Sequence, residues 1–528
     1  MRKRLGALAG ALLACFLVTG CGGSSSQGGG TATPAPDASN TLHVIAGSEL
    51  KDLEPYFGQI RERTGVQIVP EYSGTLAGID RIRNGEHFDA AWFANDKYLL
   101  LADKQHRVKA QERIMLSPVV IGVKQSVASR FGWTPETSWK AIEAKAADGS
   151  FRYAMTNPTS SNSGFSAVIA VATAFAGTGD VLRAGDVDAT LLRSFFRGQR
   201  LTAGSSGWLV DAYVRDQDQL DGIVNYEANL LALDKGSQLK EKLVLIYPKE
   251  GVVTADYPLL LLDASKRALY DKVAAYLVGD EFQQLVMDRT ERRPVNPNVK
   301  LASEFPTGVR NEIAFPNSLA TVDGVLLRYL NENRVPAHSF YVLDTSGSMK
   351  GARIDGVRHA LDTLAGGDST LTGKFARFQN REKITLISFS DGTTAPVDLE
   401  MHSSDDTATL RAVKTYADSL QPGGATAIYC ALEEALAEAQ HSRQAEGARY
   451  YSIVLMTDGE NNRCDDAATF ERKYAALPPE QRVKIFPILF GEGDSVALQR
   501  LAEITGGRMF DGKHESLSNV FKEIRGYQ

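Results

Sequence analysis

The stretch SFYVLDTSGSMK, residues 339–350, decides how the C-terminal half is read. Four large apolar residues, Phe340, Tyr341, Val342 and Leu343, run up to Asp344. Thr345, Ser346, Gly347 and Ser348 follow at once. A short, unbroken apolar run of this kind is expected of a strand buried on both faces. The pattern repeats downstream. Strands are expected over 383–389, 450–456 and 484–490, besides 339–343. Amphipathic helices are expected over 353–364, 407–420, 427–440, 467–477, 496–505 and 518–524. This strand–helix alternation gives an α/β, doubly wound, Rossmann-like sheet, whose ligand site belongs at the carboxyl ends of its strands.

Three loops fall on that rim. Asp344-Thr345-Ser346-Gly347-Ser348 leaves the first strand, and Gly423-Gly424-Ala425-Thr426 precedes a helix. Thr457-Asp458-Gly459-Glu460 leaves another apolar strand. Together they offer hydroxyls and carboxylates and no soft donor, which suits Mg²⁺, Mn²⁺ or Ca²⁺ rather than zinc or copper. Taken singly, each loop also reads as a helix cap or a tight turn. Their joint occurrence, in this order, argues for a site. The set resembles the metal-ion-dependent adhesion site (MIDAS) of von Willebrand factor type A (VWA) domains: DxSxS, then a threonine, then a TDG aspartate. The resemblance implies that Ser346 and Ser348 bind the metal directly, and Thr426 does so in the liganded state. Asp344 and Asp458 act mainly through water. One coordination position stays open for an acidic side chain on a protein partner.

The region 41–300 also alternates strands and helices, with strands expected over 42–46, 66–71, 88–93, 117–124, 153–158 and 243–247. Helices are expected over 50–64 and 164–176. VIAGSELKDLEPYF, EYSGTLAGIDRI, FDAAWFAND, SPVVIGVK, TSWKAI, TNPTSSNSGFSA, GIVNYEAN and YPKEGVVTADYPL occur in that order. In this order they resemble the type II solute-binding proteins of ABC transporters. The resemblance implies two α/β lobes with a ligand cleft between them. One lobe is then 41–116 plus 243–299, the other 119–242. Ser48, Ser73, Thr75, Ser160 and Ser163 sit in polar turns at helix starts, where free backbone N–H groups and hydroxyls cradle anions. Simple helix capping explains the same residues. Tyr226 is a candidate for the cleft wall, and Glu227 is either that or a surface acid. The tryptophans read as packing. The expected ligand is a small solute or peptide, its charge unread, and the implied partner is an ABC permease.

Arg2, Lys3 and Arg4 precede an apolar run to Val18, and Leu17-Val18-Thr19-Gly20-Cys21 ends the segment. That is an export signal over 1–20, too short for a spanning helix. It resembles a bacterial lipobox, which implies a lipid on Cys21. The alternative is an ordinary secretory signal or an uncleaved anchor. Residues 21–40 (CGGSSSQGGGTATPAPDASN) hold no large apolar side chain and form a tether. The folded part is therefore expected on the exported side of a membrane, periplasmic or extracellular, held through lipid. Residues 301–337 form a connector, and the VWA domain takes 338–528. The net charge is -6, without a basic stripe past the first residues, which speaks against nucleic acid. The histidines lack HExxH spacing and there is no GxSxG, so binding rather than catalysis is expected. Beyond Cys15 and Cys21 only Cys430 and Cys464 remain. Cys430 lies one turn after Thr426, and Cys464 six residues after Asp458. If those two residues share a cation, a bond between the cysteines follows, given Cα atoms within about 7 Å. Two reduced, buried cysteines are the alternative.

Overall fold

The computed structural model describes residues 38–307, 311–446, 448–491, 493–513 and 517–527. The expected signal segment, Cys21 and the tether up to residue 37 lie outside them. The described chain forms three sheets, one per expected α/β unit.

The first lobe carries five strands in the order Gln67–Ser73, Thr41–Gly47, Ala90–Trp92, Pro258–Leu261, Ala110–Arg113. The first three are parallel and the last two antiparallel. The long strand Met115–Lys124 then crosses into the second lobe. There it pairs with Gly222–Tyr226, Leu243–Ile246, Thr254–Ala255 and Arg293–Pro294. Tyr153–Met155 and Gln199–Leu201 complete that sheet. The chain returns to the first lobe later than expected. Leu243–Ile246 is not part of the first lobe, because it lies antiparallel to Met115–Lys124. Between Ala255 and Pro258 the chain passes from one sheet to the other.

The C-terminal sheet has the order Val397–Glu400, Lys383–Phe389, Ala337–Asp344, Tyr450–Thr457, Lys484–Leu489, Phe510–Asp511. All pairs are parallel except the edge strand Val397–Glu400. The central strand is buried at every position, as its apolar run requires. Helices Ala352–Asp362 and Thr407–Ser419 cover one face, and Ile428–Glu446, Ala467–Ala476 and Ser495–Thr505 the other.

The connector is folded. Helix Leu319–Arg328 buries Val322, Val325 and Leu326 in the core of the two-lobed half. Tyr329, just after it, packs on Phe196 of the second lobe. The last turn widens to a π-helix over Tyr329–Asn333.

Candidate metal centre and interlobe pocket

The metal-type loops converge because each leaves the same end of the parallel sheet. Asp344 is the last residue of its strand and is fully buried. Its Oδ1 accepts the Ser346 N–H (2.8 Å) and its Oδ2 the Thr457 hydroxyl (2.6 Å). Ser346 Oγ and Ser348 Oγ lie 3.0 Å apart. The threonine loop is strapped to this one by Gly347 N–H to Gly424 O (3.0 Å) and Gly423 N–H to Thr345 O (2.7 Å). Gly424 has φ +83°, a left-handed turn that favours glycine and lets the loop fold back over the site. Thr426 is held at both ends of its peptide. Its N–H donates to Asn462 Oδ1 (2.8 Å), and its carbonyl accepts the Asn462 N–H (3.0 Å). Asn461 Oδ1 accepts the N–H of Ile428 (2.9 Å).

Burial pushes the Asp344 carboxyl above its ordinary range, and neighbouring Asp458 pushes the same way. The two buried acids, the Ser346 and Ser348 hydroxyls and the threonine loop strapped to them offer hard oxygen atoms of the kind a divalent cation takes. Cys430 and Cys464 are joined, with Cα atoms 6.1 Å apart. The bond ties the helix that follows Thr426 to the loop that follows Asp458.

Sequence reading gave four residues here no role of their own. Arg353 Nη1 donates to Asp458 Oδ2 (2.7 Å) and to Ser348 O (3.1 Å). It is a tethered cation on one of the two acids. Thr457, Asn461 and Asn462 are the others. The adjacent amides directly after the TDGE turn were a signal, since such side chains brace loops. Arg353 gave none, because a basic residue in a first helical turn usually faces water.

In the two-lobed half, Ser48 follows the strand Thr41–Gly47 and Ser73 ends the adjacent strand Gln67–Ser73, at the carboxyl ends of the first-lobe sheet. Ser160 and Ser163 flank the start of helix Asn162–Ala176 in the second lobe. The lobes meet closely. A Cβ on Gly74 would lie 2.7 Å from Ser160 O. Helices starting at Thr75 and Ser206 have no side-chain cap among the described residues, whereas Thr156 Oγ1 accepts the Gly164 N–H (2.7 Å) in the helix starting at Asn162 and Ser117 Oγ accepts the Ala228 N–H (3.0 Å) in the helix starting at Glu227.

The expected cleft residues divide into two groups. Ser48 lines a pocket of about 380 Å³ between the lobes, with Glu49, Asp52, Gly207, Trp208 and Asp211 among its walls. Ser48 Oγ and Glu49 Oε1 are buried without a hydrogen-bond partner among the described residues. Burial pushes the Glu49 carboxyl up to about 7. Ser163, in contrast, is turned inward, bonded to Thr156 Oγ1 (2.8 Å) and Ser206 Oγ (2.8 Å). Ser160 Oγ donates to Asn157 O (3.2 Å), and Tyr226 OH accepts from Asn162 Nδ2 (3.0 Å). Ser73 and Thr75 are buried at the interlobe contact. Glu227 is neither a cleft acid nor a surface acid. It is fully buried and paired with Arg293 Nε (2.6 Å).

A family model described as bacterial extracellular solute-binding protein matches residues 42–289, and one for the von Willebrand factor type A domain matches 340–523. Among solved structures, the sulfate-binding protein SubI from Mycobacterium tuberculosis H37Rv is 16% identical, covering 54% of this chain and 96% of its own, with a TM-score of 0.41. The periplasmic binding protein AfuA from Actinobacillus pleuropneumoniae is 12% identical, covering 56% and 98%, with a TM-score of 0.44. The Pasteurella haemolytica apo ferric ion-binding protein A is 13% identical, covering 55% and 96%, with a TM-score of 0.43. No curated protein matches the chain. Among the described residues no helix is long and apolar enough to cross a membrane. The chain thus carries a two-lobed bacterial extracellular solute-binding domain followed by a Rossmann-like von Willebrand factor type A domain.

Proposed function

We propose that this protein is the solute-binding component of an ABC transporter, exported and lipid-anchored at Cys21, with the VWA domain as its accessory docking module. The interlobe pocket carries the reading. Polar atoms buried without partners cost free energy, and Ser48 Oγ and Glu49 Oε1 are two such atoms on the wall of one pocket. A small polar solute closed between the lobes supplies the missing partners. Its hydrogen bonds come from Ser48, Glu49 and the helix start at Ser206, whose Gly207 and Trp208 line the pocket, with Ser73, Thr75 and Ser160 beside the close approach of the lobes at Gly74. Thermal-shift measurement on the mature chain against small anions, amino acids, sugars and amines tests this. A true solute raises the melting temperature by mass action, and Ser48→Ala weakens the response. A panel in which nothing stabilises the protein defeats the reading and leaves the cleft as a scaffold.

A second reading concerns the other half and rests on where its metal-type rim lies. Tyr450 and Lys484, at the starts of their strands, touch the second lobe. The rim is at the opposite strand ends, about 25 Å away for an eight-residue strand. It therefore faces away from the solute-binding half. Asp344, Ser346, Ser348, Thr426 and Asp458 would hold Mg²⁺ or Mn²⁺, which when bound offers a coordination position to a partner's acidic side chain. Asp344→Ala or Thr426→Ala should abolish divalent binding while circular dichroism stays unchanged. Calorimetry that detects no divalent binding to the wild type would sink this reading.

A further inference from the structure

The VWA domain grips both lobes at once. On the first lobe, Asp80 of helix Thr75–Arg83 is 1% exposed. It accepts the Thr372 N–H (3.0 Å) and the Thr370 hydroxyl (3.2 Å) from the C-terminal half. Leu371 and Phe375 of the same segment pack into the core of the two-lobed half. On the second lobe, Asn157 Nδ2 donates to Arg525 O (3.0 Å) and Thr202 Oγ1 to Gly526 O (3.1 Å). Tyr450 OH donates to Gln199 O (2.7 Å). Trp208 stacks near Tyr527, and the Arg508 guanidinium lies 3.5 Å from the centre of its ring.

These contacts meet at the cleft. Asn157, which holds the VWA tail, also shapes the cleft loop. Its Oδ1 accepts the Thr159 N–H (2.9 Å), and its carbonyl accepts the N–H groups of Ser160 (3.1 Å) and Ser161 (3.0 Å). Ser160 touches all three bodies. Its carbonyl would lie 2.7 Å from a Cβ on Gly74 of the first lobe, and its Oγ 3.0 Å from one on Gly526 of the VWA tail. A Cβ on Gly526 would also lie 2.6 Å from the Gly204 Cα. Only residues without side chains permit this approach. Trp208, under Tyr527 and Arg508, is itself a wall of the interlobe pocket.

A hinged opening that separates the lobes must strip the VWA domain from one of them. Two events that cannot occur independently share one free energy, and the coupling is reciprocal. We propose that the VWA domain is a clasp whose grip on both lobes and the closure of the cleft are one equilibrium, so that the protein acts as a solute sensor that reports cleft loading through the position of its VWA domain. The sensing role rests on the cleft being a solute site; the clasp itself does not.

Hydrogen–deuterium exchange on the full chain, without added solute, tests the clasp. Asp80→Ala removes the acceptor on the first lobe. Exchange should rise about tenfold at residues 370–375, and also at 157–163 across the cleft and at 525–527, as one cooperative unit opens. Thr202→Val keeps the shape of its side chain and deletes one bond on the second lobe. It should loosen 525–527 and also residues 75–80 of the first lobe, and it serves if Asp80→Ala folds poorly. Rises confined to the neighbours of each altered side chain would overturn the clasp. A solute panel without a hit would defeat the solute reading while leaving the exchange result intact, so the two failures are distinguishable.

Discussion

At the scale of single residues, two charged groups set testable properties. Arg353 pairs with Asp458, so a divalent ion must displace its guanidinium before it commands both acids. A hydrogen bond between charged groups contributes about 1.5–3 kcal/mol when buried and less when the partner is partly in water. Arg353 is 37% exposed. Arg353→Ala should therefore tighten Mn²⁺ binding by about tenfold, or about 1.4 kcal/mol, in titration calorimetry. Equal or weaker binding would show that the arginine does not compete. Glu49 is the second group. Its folded pKa is raised from 4.5 to about 7 by burial, so the folded state holds a proton that the unfolded chain releases. Its contribution is fully present below about pH 4.5 and is lost as pH rises through about 7. Glu49→Gln, which stays neutral, should be more stable than wild type at pH 8 by about 3 kcal/mol and no more stable at pH 4, by denaturant titration. A difference that does not vary with pH would refute this account.

At the scale of elements, the parallel sheet of the C-terminal domain explains why loops far apart in sequence share one rim. Each strand ends on the same side, so Asp344, Thr457 and Asp458 arrive together although 113 residues separate Asp344 from Thr457. Strand position was legible because unbroken apolar runs mark double-sided burial. Lys383–Phe389 lies where its sequence places it, the other expected strands of this sheet keep their ends within two residues, and the helix expected over 427–440 runs on to Glu446. The edge strand Val397–Glu400 was missed because it is short and half exposed. The bond between Cys430 and Cys464 joins two of these elements across 34 residues. In the chain-entropy model it contributes about 3 to 4 kcal/mol. Replacing both cysteines by serine should lower the melting temperature of the oxidised protein by about 10 °C and weaken divalent binding. Two reactive thiols in the unfolded, unreduced wild type would show that no bond forms.

At the scale of the molecule, the halves are joined by a buried charge cluster. Glu382 of the VWA domain is 1% exposed and pairs with Arg334 of the connector and Arg525 of the tail. Burial pushes its carboxyl up, but Arg525 and Arg334 outweigh that and hold it below its ordinary range. Its stabilisation is thus present above about pH 4.5 and is lost as pH falls below that. Glu382→Gln leaves two buried guanidiniums without their acid, at a cost of about 3–5 kcal/mol. It should also free the tail from Asn157 and Thr202, seen as faster exchange at 525–527. A loss of stability under 1 kcal/mol would mean that the cluster is not structural.

The pattern of the chain set out the three α/β units, the strand ends that carry the metal-type loops, and the polar helix starts of the two lobes. All of these follow from periodicity and turn chemistry within a few dozen residues. It did not determine which polar groups find each other. Ser163 turned inward, Glu227 found Arg293 at 66 residues' distance, and Asn157 met the backbone of Arg525 at 368. Packing in three dimensions set these contacts, because a hydrogen-bonding group is satisfied by whatever partner packing brings within about 3 Å. Neighbours in the chain do not specify that partner.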